Sequence, residues 1–209
     1  MIHTIIFDFG GVIVTINHQE ALKRFKALGL PDAEKWLDPY TQSGIFGKLE
    51  QGEISAEDFR RELSKLCNRE LTYDECKYAW LGYREEVPKR NLDVLKKLRE
   101  EGYRLLLLSN TNPYMMSWAE SKDFDGAGNS IHDYFDATYL SFQLGVMKPD
   151  ELFFRKVLMA EQTPPGECLF LDDGPRNVAA ASRLGIQTLC PENGADWTQQ
   201  LFSMLSIDL

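Results

Sequence analysis

Positive charge is in short supply in this chain. It has 23 lysines and arginines against 32 aspartates and glutamates, a formal net charge of −9 over 209 residues. A surface of that sign repels a phosphate backbone, which excludes nucleic acid as the expected partner, although a pocket can still hold a small anion in its local field. Histidine and cysteine are also scarce, with three and four copies. Cys67, Cys76, Cys168 and Cys190 form no C-x-x-C pair, so a structural zinc site is not expected. They read as reduced, mostly buried thiols of a cytoplasmic protein. No apolar run reaches the ~18 residues of a membrane helix. The opening MIHTIIFDFGG lacks a basic leader, and Asp8 interrupts its apolar run too early for a signal peptide.

The chain is 44% hydrophobic and 26% charged, which suits one large domain or a core with a smaller appended part. Thr4–Phe7, Arg104–Ser109, Ala137–Leu140, Leu169–Leu171 and Gln187–Leu189 are short β-branched, aromatic or leucine-rich runs that read as strands. Helical patterns fall between them, at about Asn91–Glu101, Glu151–Glu161 and Arg176–Leu184, with Pro175 suited to a first helical position. Strands alternating with helices predict a doubly wound parallel α/β sheet, over residues 1–16 and 89–209. Residues 17–88 show no convincing strand and read as an inserted helical cap. Glu57–Leu66 is amphipathic there, and Thr72-x-x-Glu75 is a capping box. Aromatic residues recur in that stretch, at Trp36, Tyr40, Phe46, Phe59, Tyr73, Tyr78, Trp80 and Tyr83, and are expected mainly as core. Lys122–Ser130 reads as a flexible surface loop.

Three of the expected strands end in polar groups without a packing purpose: Asp8, then Ser109-Asn110-Thr111, then Asp172-Asp173. Lys148-Pro149-Asp150 precedes a helix. Ligands of such sheets bind beyond the carboxyl ends of the strands, so these groups are expected to share one rim. Carboxylates gathered at one point repel unless a cation neutralises them, and a hard ion such as Mg²⁺ suits oxygen donors beside phosphate. An aspartate can attack phosphorus, and a lysine with a serine hydroxyl can stabilise the transferring group.

FDFGGVIV at 7–14, LLSNT at 107–111, KPD at 148–150 and LDDGPRN at 171–177 resemble, in order, the four motifs of the haloacid dehalogenase-like superfamily. FGKLEQGEISAEDF at 46–59, YFDATYLSFQLGVMKP at 134–149 and ASRLGIQTL at 181–189 resemble its glucose-1-phosphate phosphatase-like branch, which includes the phosphatase half of soluble epoxide hydrolase. The resemblance implies a Rossmann-like core and an Mg²⁺-dependent phosphatase for a small phosphate monoester, with sugar phosphates first. It implies Asp8 as nucleophile and metal ligand, with the Gly10 carbonyl, Asp172 and Asp173 completing the metal site. Ser109 and the backbone at Asn110 would hold phosphoryl oxygens, Lys148 would pair with Asp8 and the phosphate, and residues 17–88 would close over the substrate.

Most phosphatases of this superfamily carry a second aspartate two residues after the nucleophile, where this chain has Gly10. Two other readings therefore accompany the first: a 2-haloacid dehalogenase, which needs no metal, and a non-catalytic phosphate-binding or regulatory protein. The Asp172-Asp173 pair and the cap favour the phosphatase. The Ser43–Lys48 stretch, SGIFGK, is expected as a specificity loop in which Lys48 meets an anion. His18 is the candidate substitute proton donor. General acid–base help is worth about 10²- to 10⁴-fold, so His18→Ala should lower turnover within that range; unchanged turnover would remove His18 from the chemistry.

Overall fold

The computed structural model describes residues 1–38 and 42–207. Tyr40 lies outside them. The central sheet contains β1 (Thr4–Phe7), β4 (Arg104–Ser109), β5 (Ala137–Leu140), β6 (Cys168–Leu171) and β7 (Gln187–Leu189), and a separate two-stranded ribbon joins β2 (Thr15–Ile16) to β3 (Arg84–Glu86). The central order is β5-β4-β1-β6-β7, parallel throughout. The chain leaves β1 towards β4 and β5, then returns to its other side at β6, so the order reverses at β1. Phe7 is in register with both Leu107 and Leu171. The residues that follow these three strands therefore emerge side by side, where ligands of open α/β sheets bind.

The period of two along each strand sends side chains to opposite faces. Ile5, Phe7, Leu105, Leu107, Leu169 and Leu171 join the larger hydrophobic cluster. It takes in α5 (Lys89–Glu100), α6 (Pro113–Ala119) and α10 (Thr198–Leu205) through residues such as Leu95, Met116 and Leu201. Ile6, Leu106, Leu108 and Phe170 face the other way, against Phe153 and Phe154 of α8 (Glu151–Glu161) and Ala180 and Ala181 of α9 (Pro175–Arg183). The result is the doubly wound α/β fold expected from the sequence. No helix among the described residues is long and apolar enough to cross a membrane.

Between β2 and β3 lie α1 (His18–Ala27), α2 (Gly44–Gln51), α3 (Ala56–Leu66) and α4 (Tyr73–Trp80). Capping boxes at Ser55/Asp58 and Thr72/Glu75 start the last two. Phe46 is their common anchor, with ring centroids 5.1 Å from Phe25, 5.0 Å from Phe59 and 5.5 Å from Trp80. This layer shares the larger hydrophobic cluster with the sheet. The Tyr114 hydroxyl of α6 donates to the Ala56 carbonyl at 2.7 Å, and Gln51 Nε2 donates to the Gly145 carbonyl at 2.8 Å, just past α7 (Ser141–Leu144).

The structure corrects the reading of Ser43–Lys48 as a loop: Ser43 is the N-cap of α2. The glycines there serve close packing, since a Cβ on Gly44 would meet the Trp36 ring at 2.3 Å and one on Gly47 the Gln42 carbonyl at 2.7 Å. Lys122–Ser130 is largely exposed but pinned, because the Asp125 carboxylate accepts from the amides of Ala127 and Asn129 and from the Tyr134 hydroxyl. Of the four cysteines, Cys76 and Cys168 are buried, Cys67 is partly buried and Cys190 is exposed, all as free thiols.

Gly52 ends α2 at φ +76°, where a Cβ would sit 2.2 Å from the Phe142 carbonyl. Gly102 has a similar φ of +87° with nothing within 4 Å. Gly102→Ala should cost about 1 kcal/mol from backbone strain alone, and Gly52→Ala at least about twice that because the junction between α2 and α7 must open. Urea denaturation of both variants compares them; equal losses would mean that the close approach adds nothing.

Candidate active site

Asp8, Ser109 and Asp172 stand at or just past the ends of the three adjacent strands β1, β4 and β6. Lys148 reaches them from the segment after α7. Its ammonium is buried and donates to Asp8 Oδ1 at 2.8 Å, Asp172 Oδ2 at 2.6 Å and the Leu108 carbonyl at 2.9 Å. All three N–H donors of the ammonium are thereby used. Burial alone would push this lysine down, but Asp172 and Asp8 outweigh it and hold the group above its ordinary value. Asn110 fixes the lysine's backbone: its Nδ2 donates to the Lys148 carbonyl at 2.9 Å, and its Oδ1 accepts from the Lys148 amide at 2.8 Å. The Asn110 side chain is thus committed to positioning Lys148. The Ser109 hydroxyl is nearly buried, with a contact to the Asn110 carbonyl at 3.3 Å.

The two consecutive aspartates have different surroundings. Asp172 is fully buried and saturated: Oδ1 accepts from the Gly174 amide at 2.7 Å and Asn177 Nδ2 at 2.9 Å, while Oδ2 takes Lys148. Among the described residues Asp173 has no such set of donors. Burial, then the Asp172 charge, pushes its carboxyl up to about 6. Burial also drives Asp8 well above its usual value, with Lys148 pulling it back and Asp172 and Asp173 adding to the rise. Asp8 Oδ1 accepts from the Phe9 amide at 2.7 Å as well as from Lys148. Among the described residues no donor is recorded on its Oδ2 or on the Gly10 carbonyl.

Asp8, Asp172 and Asp173 each present an oxygen, and these lie within 4.8 Å of one another. One lysine cannot balance three carboxylates; burial raises Asp8 and Asp173, and the neighbouring carboxylates add to both rises. Carboxylate oxygens next to an unclaimed carbonyl suit a hard divalent cation. The absent second aspartate is more than a lost side chain, because Ile16 carbons stand 3.1 Å from where a Cβ on Gly10 would be.

A cavity of about 410 Å³ opens beside this cluster. Asp8, Gly10, Ser109, Asn110, Lys148 and Asp173 all line it; Asp172 does not, being buried behind Lys148. His18 reaches the wall, but its Nε2 lies 3.1 Å from the Leu37 carbonyl. A carbonyl only accepts, so that nitrogen carries the proton, and the neutral ring has only an acceptor left at Nδ1. Lys48 is exposed and does not line the cavity. The α2 residue that does is Glu50, which nothing in its local sequence distinguishes from the other glutamates of an acidic chain. Its burial pushes the carboxyl up to about 8, with only the Asn112 amide working against the rise.

Residues 2–185 match the family model of haloacid dehalogenase-like hydrolases. The chain is 49% identical over 206 residues to D-ribitol-5-phosphate phosphatase of Bacteroides thetaiotaomicron, covering 99% of this chain and 100% of that protein. It superposes on a predicted HAD-like family hydrolase from Porphyromonas gingivalis with a TM-score of 0.94 at 44% identity, over 100% of both chains. It also superposes on a HAD family enzyme from B. thetaiotaomicron, solved in complex with magnesium and inorganic phosphate, with a TM-score of 0.87 at 31% identity, over 96% of this chain and 99% of that one. The chain belongs to the haloacid dehalogenase-like hydrolase family.

The raised Glu50 carboxyl has a consequence for stability. The folded protein holds that proton up to about pH 8, whereas an ordinary glutamate releases it near 4.5. The stabilising contribution of the proton is therefore complete below about pH 4.5 and is lost as pH rises through 8. Glu50→Gln, which does not titrate, should melt several degrees above the wild type at pH 8 and show a smaller gain at pH 5. A Tm difference independent of pH would contradict the assignment.

Proposed function

We propose that the protein is an Mg²⁺-dependent phosphatase that hydrolyses a small sugar or polyol phosphate through an aspartyl-phosphate on Asp8. The observation that carries this reading is Asp173, a third carboxylate whose ligand oxygen lies within 4.8 Å of those of Asp8 and Asp172 and which has no ion-pair partner among the described residues, the Lys148 ammonium being bonded to the other two. A metal-free dehalogenase would have no use for it, and it would only weaken an anion-binding regulatory site. The cavity beside the cluster favours an enclosed substrate, and the 49% identical ribitol-phosphate phosphatase supports a polyol or sugar ester.

Asp8, the Gly10 carbonyl and Asp173 would hold the ion directly, with Asp172, whose oxygens are taken by Lys148, Asn177 and the Gly174 amide, as the counter-charge behind them. When bound, it would neutralise these carboxylates and the charge on the phosphate. Asp8 attacks phosphorus through a carboxylate oxygen; the ester oxygen leaves with the bonding pair and takes a proton from water, which the water consumed in the next step gives back. Water then attacks the phosphorus, phosphate departs and the Asp8 carboxylate is restored. The Lys148 ammonium opposes the burial that raises the Asp8 carboxyl and orients the attacking carboxylate, and its charge lies beside the transferring phosphoryl group. Ser109 and the Asn110 amide bind the remaining oxygens. His18 borders the cavity, but in its neutral form it suits accepting a proton better than giving one. The helices between β2 and β3 would cap the site and keep bulk water out.

Phosphate release from a panel of small esters, with Mg²⁺ or EDTA, tests this. Release should require Mg²⁺ and fall at least about 10³-fold in Asp8→Asn. No release from any ester, activated aryl phosphates included, would move the reading to dehalogenation or binding. A second readout is independent of turnover. Mg²⁺ should raise the Tm of the wild type and have little effect on Asp173→Asn; an equal rise in both would remove Asp173 from the metal site.

A further inference from the structure

The helical segment supplies cavity-lining side chains that the steps above leave unused: Gln42, Glu50, Trp80 and Tyr83. Their chemistry restricts the rest of the substrate. Among the described lining residues the one lysine or arginine is Lys148, and its donors are all taken. A second anionic group on a substrate would therefore meet no free cation in the wall. The remaining polar lining is mostly amide and hydroxyl, from Gln19, Gln42, Tyr83, Thr111, Asn112 and Asn193. Such groups exchange hydrogen bonds with hydroxyls without a charge to match.

Glu50 occupies a defined place in this wall. It is 7% exposed and bonded to the side chain of Asn112. Asn112 Oδ1 already accepts from the amides of Tyr114 and Met115, each at 3.1 Å, so its Nδ2 is the atom turned to Glu50. Tyr83 lies close by: burial and then the Glu50 carboxyl push its phenol upward, and its hydroxyl is 3.3 Å from Gln42 Oε1. Burial keeps Glu50 protonated at neutral pH, so the carboxyl both donates and accepts, as a hydroxyl partner must. Trp80 adds a buried indole N–H that has no partner among the described residues. A buried acid in the wall that both donates and accepts is a group that a ligand's hydroxyls would satisfy.

We propose that Glu50, seated on Asn112, is the specificity-determining residue of the cavity: it reads the hydroxyls of an uncharged polyol chain esterified to the phosphate, and the cavity rejects esters that carry a second anionic group. The proposal rests on the phosphatase reading above and deepens it.

The test measures kcat and KM of the full chain with Mg²⁺ on three probes: a pentitol 5-phosphate, phosphoglycolate and 4-nitrophenyl phosphate, whose leaving group carries no hydroxyl chain. The wild type should prefer the pentitol ester over phosphoglycolate by at least about 100-fold, as a site built for neutral hydrogen bonding discriminates. In Glu50→Ala the ratio of kcat/KM for the pentitol ester to that for the nitrophenyl ester should fall at least about tenfold, mainly through KM. Glu50→Gln keeps shape, donor and acceptor, and should bring the ratio back to within about threefold of the wild type. Equal losses on both esters in Glu50→Ala, a ratio that Gln does not restore, or efficient phosphoglycolate turnover would each overturn the proposal while leaving the phosphatase intact. Absence of Mg²⁺-dependent release from all three probes would overturn the phosphatase reading, and this proposal with it.

Discussion

The arrangement turns on one buried ammonium group. Lys148 Nζ binds Asp8 past the end of β1, Asp172 past the end of β6 and the Leu108 carbonyl within β4. Those strands are neighbours in the sheet, so a single cation ties three strands together. A buried charge is tolerated only when its partners are complete, and removing one partner of such a set is far more damaging than the set is stabilising. The local backbone reflects this. Asn110 grips Lys148 at both its amide and its carbonyl, and Ser141 Oγ holds the Thr111 amide at 3.0 Å. The loop after β4 and the segment that carries the lysine are thus fixed to each other before any ligand arrives.

That cation also divides the acidic groups. Asp172 is occupied by Lys148, Asn177 and the Gly174 amide, and acts as the counter-charge that holds the lysine in place. Asp173 and the second oxygen of Asp8 are left for chemistry. Consecutive residues with the same side chain acquire different tasks because one points into a closed network and the other lines the cavity. The strain of having excess carboxylate at one point is the feature that a divalent ion resolves.

The core was legible in the sequence because its signals are local. Short runs such as TIIF and LFL, each followed by aspartate, mark both a buried strand and the polar group it delivers to the rim. The β3 strand left no such signal: Arg84–Glu86 is exposed and charged, and exists through pairing with the two residues of β2. SGIFGK misled because glycine marks loops on average, while here it permits contact with Trp36 and with the Gln42 carbonyl. Glu50 was invisible for a different reason. Its meaning comes from contacts with Asn112 and Tyr83, which are 62 and 33 residues away in this numbering and meet it only in the folded chain.

The hydrophobic cluster that runs from Phe46 and Trp80 through Tyr114 to the sheet has an evolutionary corollary. A segment inserted between two strands looks like a portable module that could be exchanged to acquire new substrates. Here the exchange would have to include the α6 face at Tyr114 and the Phe142–Gly145 backbone against which Gly52 and Gln51 are fitted. A single side chain on the cavity wall can be replaced without refitting that seam, whereas the whole segment cannot.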